Sequence, residues 1–225
     1  MTIFEFFKES SPLYWKPQAS SALNAIIEMY RPQGETRVAK QINRVFQDAT
    51  DAELSAVAAL VTAITSYWGL LLQPARDKLA QYIRNTPNQL VLPGLATLAL
   101  TAELAPIVQE KIATLNLEEL AIAINTFGLK SPAKERVLQL IFKVRSFNSA
   151  NDVLNRTFLP LFDEFTKDDF VRLIRSPTSN GADLIGATVY TNVLKRLQGT
   201  SIFERVELNQ LLDENNALFL LPDLQ

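Results

Sequence analysis

Four carboxylates crowd into one short stretch in the second half of the chain. Asp163, Glu164, Asp168 and Asp169 lie within seven residues, and oxygen ligands of this kind suit magnesium or calcium. Asp168 and Asp169, however, follow a helix cap, and acidic side chains in a first helical turn stabilise the helix dipole. We therefore favour a helix-stabilising role for this pair and keep a divalent-cation site as the alternative.

The composition excludes most catalytic chemistry. The chain has no His and no Cys, so disulfides, thiolate nucleophiles and Cys-type zinc sites are impossible. It also lacks the side chain that titrates near neutral pH without special tuning. The phosphate-binding patterns GxxxxGK[ST] and GxGxxG and the nucleophile pattern GxSxG are missing as well. We expect a non-enzymatic protein with no cofactor and no bound metal.

The remaining candidates are the residue types of a binding surface. In the helix predicted over 132–145, a polar stripe lies opposite the apolar positions; its members are Arg136, Gln139 and Lys143. A second predicted helix offers Thr188, Thr191, Lys195 and Arg196. We hypothesise that the two sets form a mildly basic groove for an acidic peptide or protein surface. The alternative is that both are ordinary solvated helix faces.

These two helices belong to a pattern that occurs twice. Leu115–Leu120 (LNLEEL) matches Phe165–Phe170 (FTKDDF) at an offset of 50 residues. Each segment has a cap residue, an acid three positions later, and an apolar pair that flanks the cap. The apolar positions of the helices that follow also align, with two more residues in the second loop. Helix, loop, helix and connector therefore repeat within 115–197.

A period of roughly 40 to 50 residues indicates a stacked helical array. The chain here resembles HEAT-like or armadillo-like repeat proteins, most visibly over 115–197. The resemblance implies a curved scaffold that binds a protein or a nucleic acid on its inner face, and it transfers no catalytic residue. We predict a single all-α domain over 1–225. It would be an α-α superhelix of stacked antiparallel helix pairs, with about ten to twelve helices.

The stretch Leu54 to Ala75 carries no charged side chain, and it is long enough to be considered as a membrane span. Its bulky residues and its small polar residues lie on opposite helical stripes, which favours a buried central helix between other helices. We therefore expect Trp68 and Ile64 to be almost fully buried. The alternative is a membrane-active protein that inserts the hydrophobic helices 54–72 and 90–105.

Local signals give four further predictions. The aromatic N-terminal segment 1–17 is expected to pack onto the helical body, and prolines bound a loop over 86–94. Ser149 to Asp152 has the form of a capping box, and Pro160 is expected to kink or divide its helix. These features set helix boundaries and carry no information about function.

Charge and terminal composition limit the choice of function. The net charge is −2 and is divided evenly between the halves, which disfavours a nucleic-acid binder because phosphate binding needs a local excess of Lys and Arg. The N-terminus lacks the basic region of a secretory signal, so we expect a cytoplasmic protein. The leading hypothesis is a scaffold or adaptor for a protein partner, alone or within a larger bacterial-style assembly, with a homo-oligomer considered. A HEAT-like nucleic-acid binder is the further alternative.

Overall fold

The computed structural model describes residues 30–34, 36–37, 39–40, 43–44, 65–175 and 188–215. Every regular element among these residues is helical and none is a β-strand, which confirms the all-α prediction. Contacts divide the chain into two compact units, Met1–Thr114 and Leu115–Gln225. A single domain over 1–225 stays a prediction.

The described residues contain nine α-helices, whereas about ten to twelve were predicted for the whole chain. The first unit contains α1 (Gln73–Asn85), α2 (Asn88–Leu98) and α3 (Ala105–Thr114). The second unit contains α4 (Leu117–Asn125), α5 (Lys134–Lys143), α6 (Phe147–Val153), α7 (Lys167–Ile174), α8 (Thr188–Gln198) and α9 (Arg205–Glu214). The shorter elements are the 3₁₀ helices Arg31–Gln33, Thr65–Leu70, Ser131–Ala133 and Leu159–Glu164, and the π-helical segment Leu154–Phe158.

The described part of the predicted central helix, residues 65–75, is not one continuous helix. Thr65–Leu70 forms a 3₁₀ helix, Leu72 is extended, and α1 then begins with Pro74 in its first turn. Proline suits that position because the N–H it lacks would have no partner inside the helix. Pro74 therefore marks the start of the next helix.

Trp68 is 6% exposed, which confirms its predicted burial. The guanidinium carbon of Arg76 lies 5.6 Å from the centre of the Trp68 ring, within the range of a cation–π contact. Ile64 and the aromatic segment 1–17 lie outside the described residues, and so does most of the stretch 54–72.

The predicted loop over 86–94 is wrong, because α2 begins at Asn88 and continues through Pro93. Pro93 lacks the N–H that would bond the carbonyl of Gln89 in a regular helix. Both residues are exposed, so the proline lies on the solvent side of the helix. On the opposite side Leu92 and Leu95 are 4% and 0% exposed. Burial of this face outweighs the proline signal.

The helix α3 packs against both α1 and α2. Lys111, only 7% exposed, donates from Nζ to the carbonyl of Thr86 at 2.6 Å. This carbonyl lies at the C-terminal end of α1, where the helix dipole favours a cation. At the surface, Arg84 Nε lies 2.7 Å from Glu110 Oε2. The hydrogen bond from Arg84 lowers the pKa of the Glu110 carboxyl below its usual range.

In the second unit, both predicted capping boxes of the repeat are confirmed. Asn116 Oδ1 accepts a hydrogen bond from Glu119 N at 2.9 Å, and Glu119 Oε2 accepts one from Asn116 N at 3.1 Å. Thr166 and Asp169 form the same reciprocal pair at the start of α7. Each box satisfies two amide groups that a helix start leaves without partners. The sequence therefore located the beginnings of α4 and α7.

Residues 147–164 form one helical segment whose winding changes twice, from α to π at Leu154 and from π to 3₁₀ at Leu159. The predicted capping box at Ser149–Asp152 is wrong. The cap is Ser146, whose hydroxyl accepts from Ser149 N at 3.2 Å. Pro160 lies in the first turn of the 3₁₀ part. The helical segment continues through it, so the winding changes there but the helix is not divided.

The π-helical part of this segment lies in the core of the second unit. Leu154, Thr157 and Phe158 are each 0% exposed. The Phe158 ring stacks on that of Phe165 with 4.2 Å between ring centres. Asn125 Nδ2, on α4, donates to the carbonyl of Arg156 at 2.9 Å. This bond satisfies a carbonyl within the π turn.

Among the described helices of the second unit, contacts link each helix to the next but one. The first row consists of α4, the 147–164 segment and α8, each packed against the next. The second row consists of α5, α7 and α9: ion pairs join α5 to α7, and α7 packs against α9. The sequence repeat at an offset of 50 residues equates α4 with α7 and α5 with α8. It therefore equates helices of different rows.

Candidate protein-binding surface

The three predicted polar residues of α5 share one face of that helix. Val137, Leu138 and Ile141 are 0% exposed and form the inner face. On the opposite side Gln139 and Lys143 are exposed and Arg136 is half-buried. We call the surface formed by Arg136, Gln139 and Lys143 the α5 basic face. The helical period alone explains this separation of polar and apolar positions.

Arg136 is held in place by a backbone group and not by a carboxylate. Its Nη2 donates to the carbonyl of Leu115 at 2.8 Å. Its Nε is buried, and within the described part of the chain it has no hydrogen-bond partner. The buried Nε is closed to a partner, whereas the N–H groups of Nη1 and the second N–H of Nη2 are not used by this bond and suit a carboxylate.

Six other cations of the second unit are paired with acids of a neighbouring helix in the same row. The paired side chains are Lys134 with Asp169, Arg156 with Glu118, Lys167 with Glu207, Arg172 with Glu135, Arg175 with Glu214, and Arg196 with Asp163. The partners are separated by 33 to 40 residues along the chain. Each pair therefore joins one helix to the next but one.

The cations of residues 130–145 contrast with this pattern. Lys130, Lys143 and Arg145 are exposed, and among the described residues none of them lies in an ion pair. The whole stretch 130–145 carries five basic side chains and one acidic one, and that acid, Glu135, is bound to Arg172. The α5 basic face is therefore the centre of a local positive charge that the fold leaves uncompensated.

Hydrogen bonding explains the charge states at the α5–α7 junction. Burial by itself would raise the pKa of Asp169. The bonds from the Thr166 backbone and hydroxyl and from Lys134 outweigh it, so the pKa of Asp169 is lowered. The bond to Glu135 raises the pKa of the Arg172 guanidinium. These charges stabilise the contact between α5 and α7. The α5 basic face takes no part in that contact, so the contact does not balance its positive charge.

The second predicted set of residues lies on α8. Thr191 is half-buried and Lys195 is exposed, whereas the side chain of Thr188 lies outside the described part. Arg196 Nη2 binds Asp163 Oδ1 at 3.0 Å, and its guanidinium carbon lies 4.2 Å from the centre of the Phe162 ring. Arg196 is thus engaged within the fold.

The two sets lie on different rows of helices. Both α5 and α8 pack against the 147–164 segment, so this segment lies between them in the contact pattern. One groove lined by both sets stays a prediction. The structure brings together Arg136, Gln139 and Lys143, which makes the α5 basic face the better candidate.

The acidic cluster is divided among separate partners. Asp163 binds Arg196, Glu164 accepts a hydrogen bond from the Ser131 hydroxyl, and Asp169 belongs to the cap of α7. Among the described residues, no group of three His, Cys, Asp or Glu side chains could hold a metal ion. The helix-stabilising interpretation of Asp169 is supported by its position in the capping box.

A cleft of about 560 Å³ runs beside α1 in the first unit. The described residues that line it are Pro74, Asp77, Lys78, Gln81, Tyr82, Asn85, Thr86 and Pro87. The buried hydroxyl of Tyr82 has no hydrogen-bond partner within the described part of the chain. One acid and one base line the same cleft, so its charge favours no ligand class.

No family model, no curated protein and no solved structure matches the chain. Among the helices that the structure describes, none is long and apolar enough to cross a membrane.

Sequence reasoning missed the contribution of Lys130 and Arg145, because both lie outside the helical stripe that drew attention to Arg136 and Lys143. A count of charge over 130–145 would have found them. The pairing of Arg196 with Asp163 had no local signal, since the partners are 33 residues apart.

Proposed function

We propose that this chain is a non-enzymatic scaffold of stacked helix pairs that binds an acidic surface of a protein partner through the α5 basic face. One observation carries the proposal. Most other cations on the described helices of the second unit are bound to a carboxylate, whereas Arg136 and Lys143 have none. A positive surface that no carboxylate of the described residues neutralises is available to a partner.

The contacts between alternate helices support the stacked, HEAT-like part of the proposal. In stacked arrays each unit buries its apolar face on its neighbour. The separations of 33 to 40 residues between bonded side chains lie within the range of about 33 to 47 residues that helical repeat families span.

The amount of charge favours a protein partner over a nucleic acid. Tight binding to duplex DNA typically uses about 6 to 10 phosphate contacts, whereas residues 130–145 provide five cations, of which Lys134 is bound to Asp169. An acidic peptide needs fewer contacts, because a single Arg–carboxylate pair can form two directed hydrogen bonds.

Fluorescence anisotropy with a labelled oligoglutamate peptide at low ionic strength tests this proposal. The variant Arg136→Glu/Lys143→Glu is expected to weaken binding about tenfold or more, since like charges in contact cost several kcal/mol. The matched control is Lys195→Glu/Arg205→Glu, which changes two exposed cations away from the α5 basic face. An oligoglutamine peptide controls for charge.

Two results would overturn the proposal. If the control variant, which changes Lys195 of the second predicted set, weakens binding as much as the α5 variant does, the α5 basic face is not the specific site. If a single-stranded DNA oligonucleotide of equal charge binds more tightly than the peptide and loses affinity in the α5 variant, the face recognises nucleic acid.

A further inference from the structure

The second row of helices has opposite charge at its two ends. Residues 130–145, which contain α5, carry five basic side chains and one acidic one. Residues 204–214, which contain α9, carry four acidic side chains and one basic one. Beyond Arg205 the chain has no further basic residue and four acidic ones. The helix α9 therefore complements the α5 basic face in charge.

The helix α7 lies between these two ends and is bound to both. Arg172 binds Glu135 on α5, and Lys167 binds Glu207 on α9. Each junction inside the row is thus made by a cation of one helix and a carboxylate of its neighbour. The α5 basic face takes no part in the first junction, which uses Lys134, Glu135 and Phe142 instead.

The acidic end also keeps exposed groups. Asp213 is exposed and, among the described residues, it takes part in no ion pair. Glu207 and Glu214 are paired with α7, yet their side chains remain 46% and 47% exposed. Val206 is 77% exposed and adds apolar area beside them. An incoming cation can therefore reach several carboxylates on α9.

We infer that the α5 basic face of one molecule binds α9 of a second copy of this chain. The inference rests on the proposed function and names the acidic partner. The two contacting surfaces differ, so the association is head-to-tail, and such contacts close into rings or extend as filaments. Exposed ion pairs contribute about 1 kcal/mol or less each, so the association is weak and sensitive to salt.

Sedimentation velocity over a range of protein concentrations tests this inference. At about 0.01 M ionic strength, where the Debye length is about 30 Å, the wild-type mass is expected to rise with concentration. At about 1 M salt, where that length is about 3 Å, it is expected to return to the monomer. The head variant Arg136→Glu/Lys143→Glu and the tail variant Gln210→Lys/Asp213→Lys should each raise the apparent dissociation constant at least about tenfold.

Mixing the two variants provides the decisive result. The substitutions leave residues 130–145 of the head variant with three basic and three acidic side chains, and residues 204–214 of the tail variant with three of each. Each variant alone lacks one of the two contacting surfaces, whereas the unchanged α9 of the head variant can bind the unchanged α5 basic face of the tail variant. Association is expected to return in the equimolar mixture. A mixture that stays monomeric, or a wild-type protein that is monomeric at low salt, overturns the inference. If oligoglutamate still binds the wild-type protein in that case, the proposed function survives and the partner is another acidic protein.

Circular dichroism of each variant confirms that it is folded. The substitution at Asp213 also places a cation in the last turn of α9, where the helix dipole favours it. Loss of association in the tail variant therefore reports on the contact between copies.

Discussion

Arg172 and Glu135 form a two-point ion pair between α7 and α5, with Nη1 3.1 Å from Oε2 and Nη2 3.3 Å from Oε1. The Arg172 guanidinium carbon also lies 5.8 Å from the centre of the Phe142 ring. Because this pair uses the one carboxylate of residues 130–145, it leaves the cations of the α5 basic face without a neighbouring acid. The same contact thus stabilises the row and sets the charge of the candidate surface.

A double-mutant cycle with Arg172→Gln and Glu135→Gln measures this contact. Both side chains are about half exposed, so we expect a coupling free energy of about 0.5–1 kcal/mol in urea unfolding at low salt. The coupling should decrease at high salt. The control cycle combines Glu135→Gln with Lys143→Gln, which lie about 12 Å apart along the helix. An equally large coupling free energy in the control cycle would contradict the assignment of an ion pair to Arg172 and Glu135.

The lowered pKa of Asp169 predicts that the protein loses stability in acid. This pKa is lower in the folded protein than in the unfolded chain. The ionised Asp169 therefore adds to the free energy of unfolding above the ordinary carboxyl pKa of about 3.9. This contribution is lost as the pH falls through the pKa that Asp169 has in the folded protein. We expect Asp169→Asn to lower the free energy of unfolding by about 1 kcal/mol at neutral pH, with the difference vanishing in acid.

The matched control for this experiment is Asp168→Asn. Asp168 is the exposed neighbour in the same helical turn, and it shares the interaction with the helix dipole but not the capping box. If the two variants differ in their free energy of unfolding by an amount that does not change with pH, Asp169 acts through packing and not through its charge.

Gly128 allows backbone strain to be tested without steric conflict. Its φ is +69°, and a Cβ built there meets nothing within 4 Å. The residue lies in the turn after α4, next to Leu129, whose N–H donates to the carbonyl of Ala123. We expect Gly128→Ala to lower the free energy of unfolding by about 1–2 kcal/mol, because left-handed backbone is costly for alanine. Gly199→Ala, at a residue whose φ lies outside that region, should cost less.

Tyr82 is expected to tolerate loss of its hydroxyl. The group is buried and has no partner among the described residues, so Tyr82→Phe removes a desolvated polar atom. We expect unchanged thermal stability or a gain of up to about 1 kcal/mol. Thr86→Val is the comparison, since the Thr86 hydroxyl donates to the carbonyl of Tyr82 at 2.7 Å and its loss should destabilise. A clear loss in Tyr82→Phe would indicate a hydrogen bond, for instance to water.

The sequence predicts the features of this fold that depend on residues near one another in the chain. Asn116 with Glu119 and Thr166 with Asp169 lie three residues apart, so their capping boxes are legible without tertiary information. The start of α2 was missed because Pro93 carries a local signal for a break, and only the burial of Leu95 in the folded unit overrides it.

The sequence could not predict which cations at the candidate site have an ion-pair partner, because the partners are distant in the chain. The polar face of α5 follows from the helical period, and it was predicted. Which cations stay uncompensated depends on the neighbours of each helix, and that information is not local. Lys143 and Arg196 look alike in the sequence, yet Arg196 is bound to Asp163 and Lys143 has no such partner among the described residues.

The π-helical turn at Leu154–Phe158 closes i→i+5 hydrogen bonds and so contains one residue more than an α-helical turn. Asn155 is exposed and should accept most substitutions. Deleting it would let the segment wind as an α-helix, with Phe158 and Phe162, now 0% and 1% exposed, still on the core side. The chain should therefore tolerate a single-codon deletion at position 155. The same deletion inside a regular helix such as α5 would rotate everything that follows by about 100° around the helix axis.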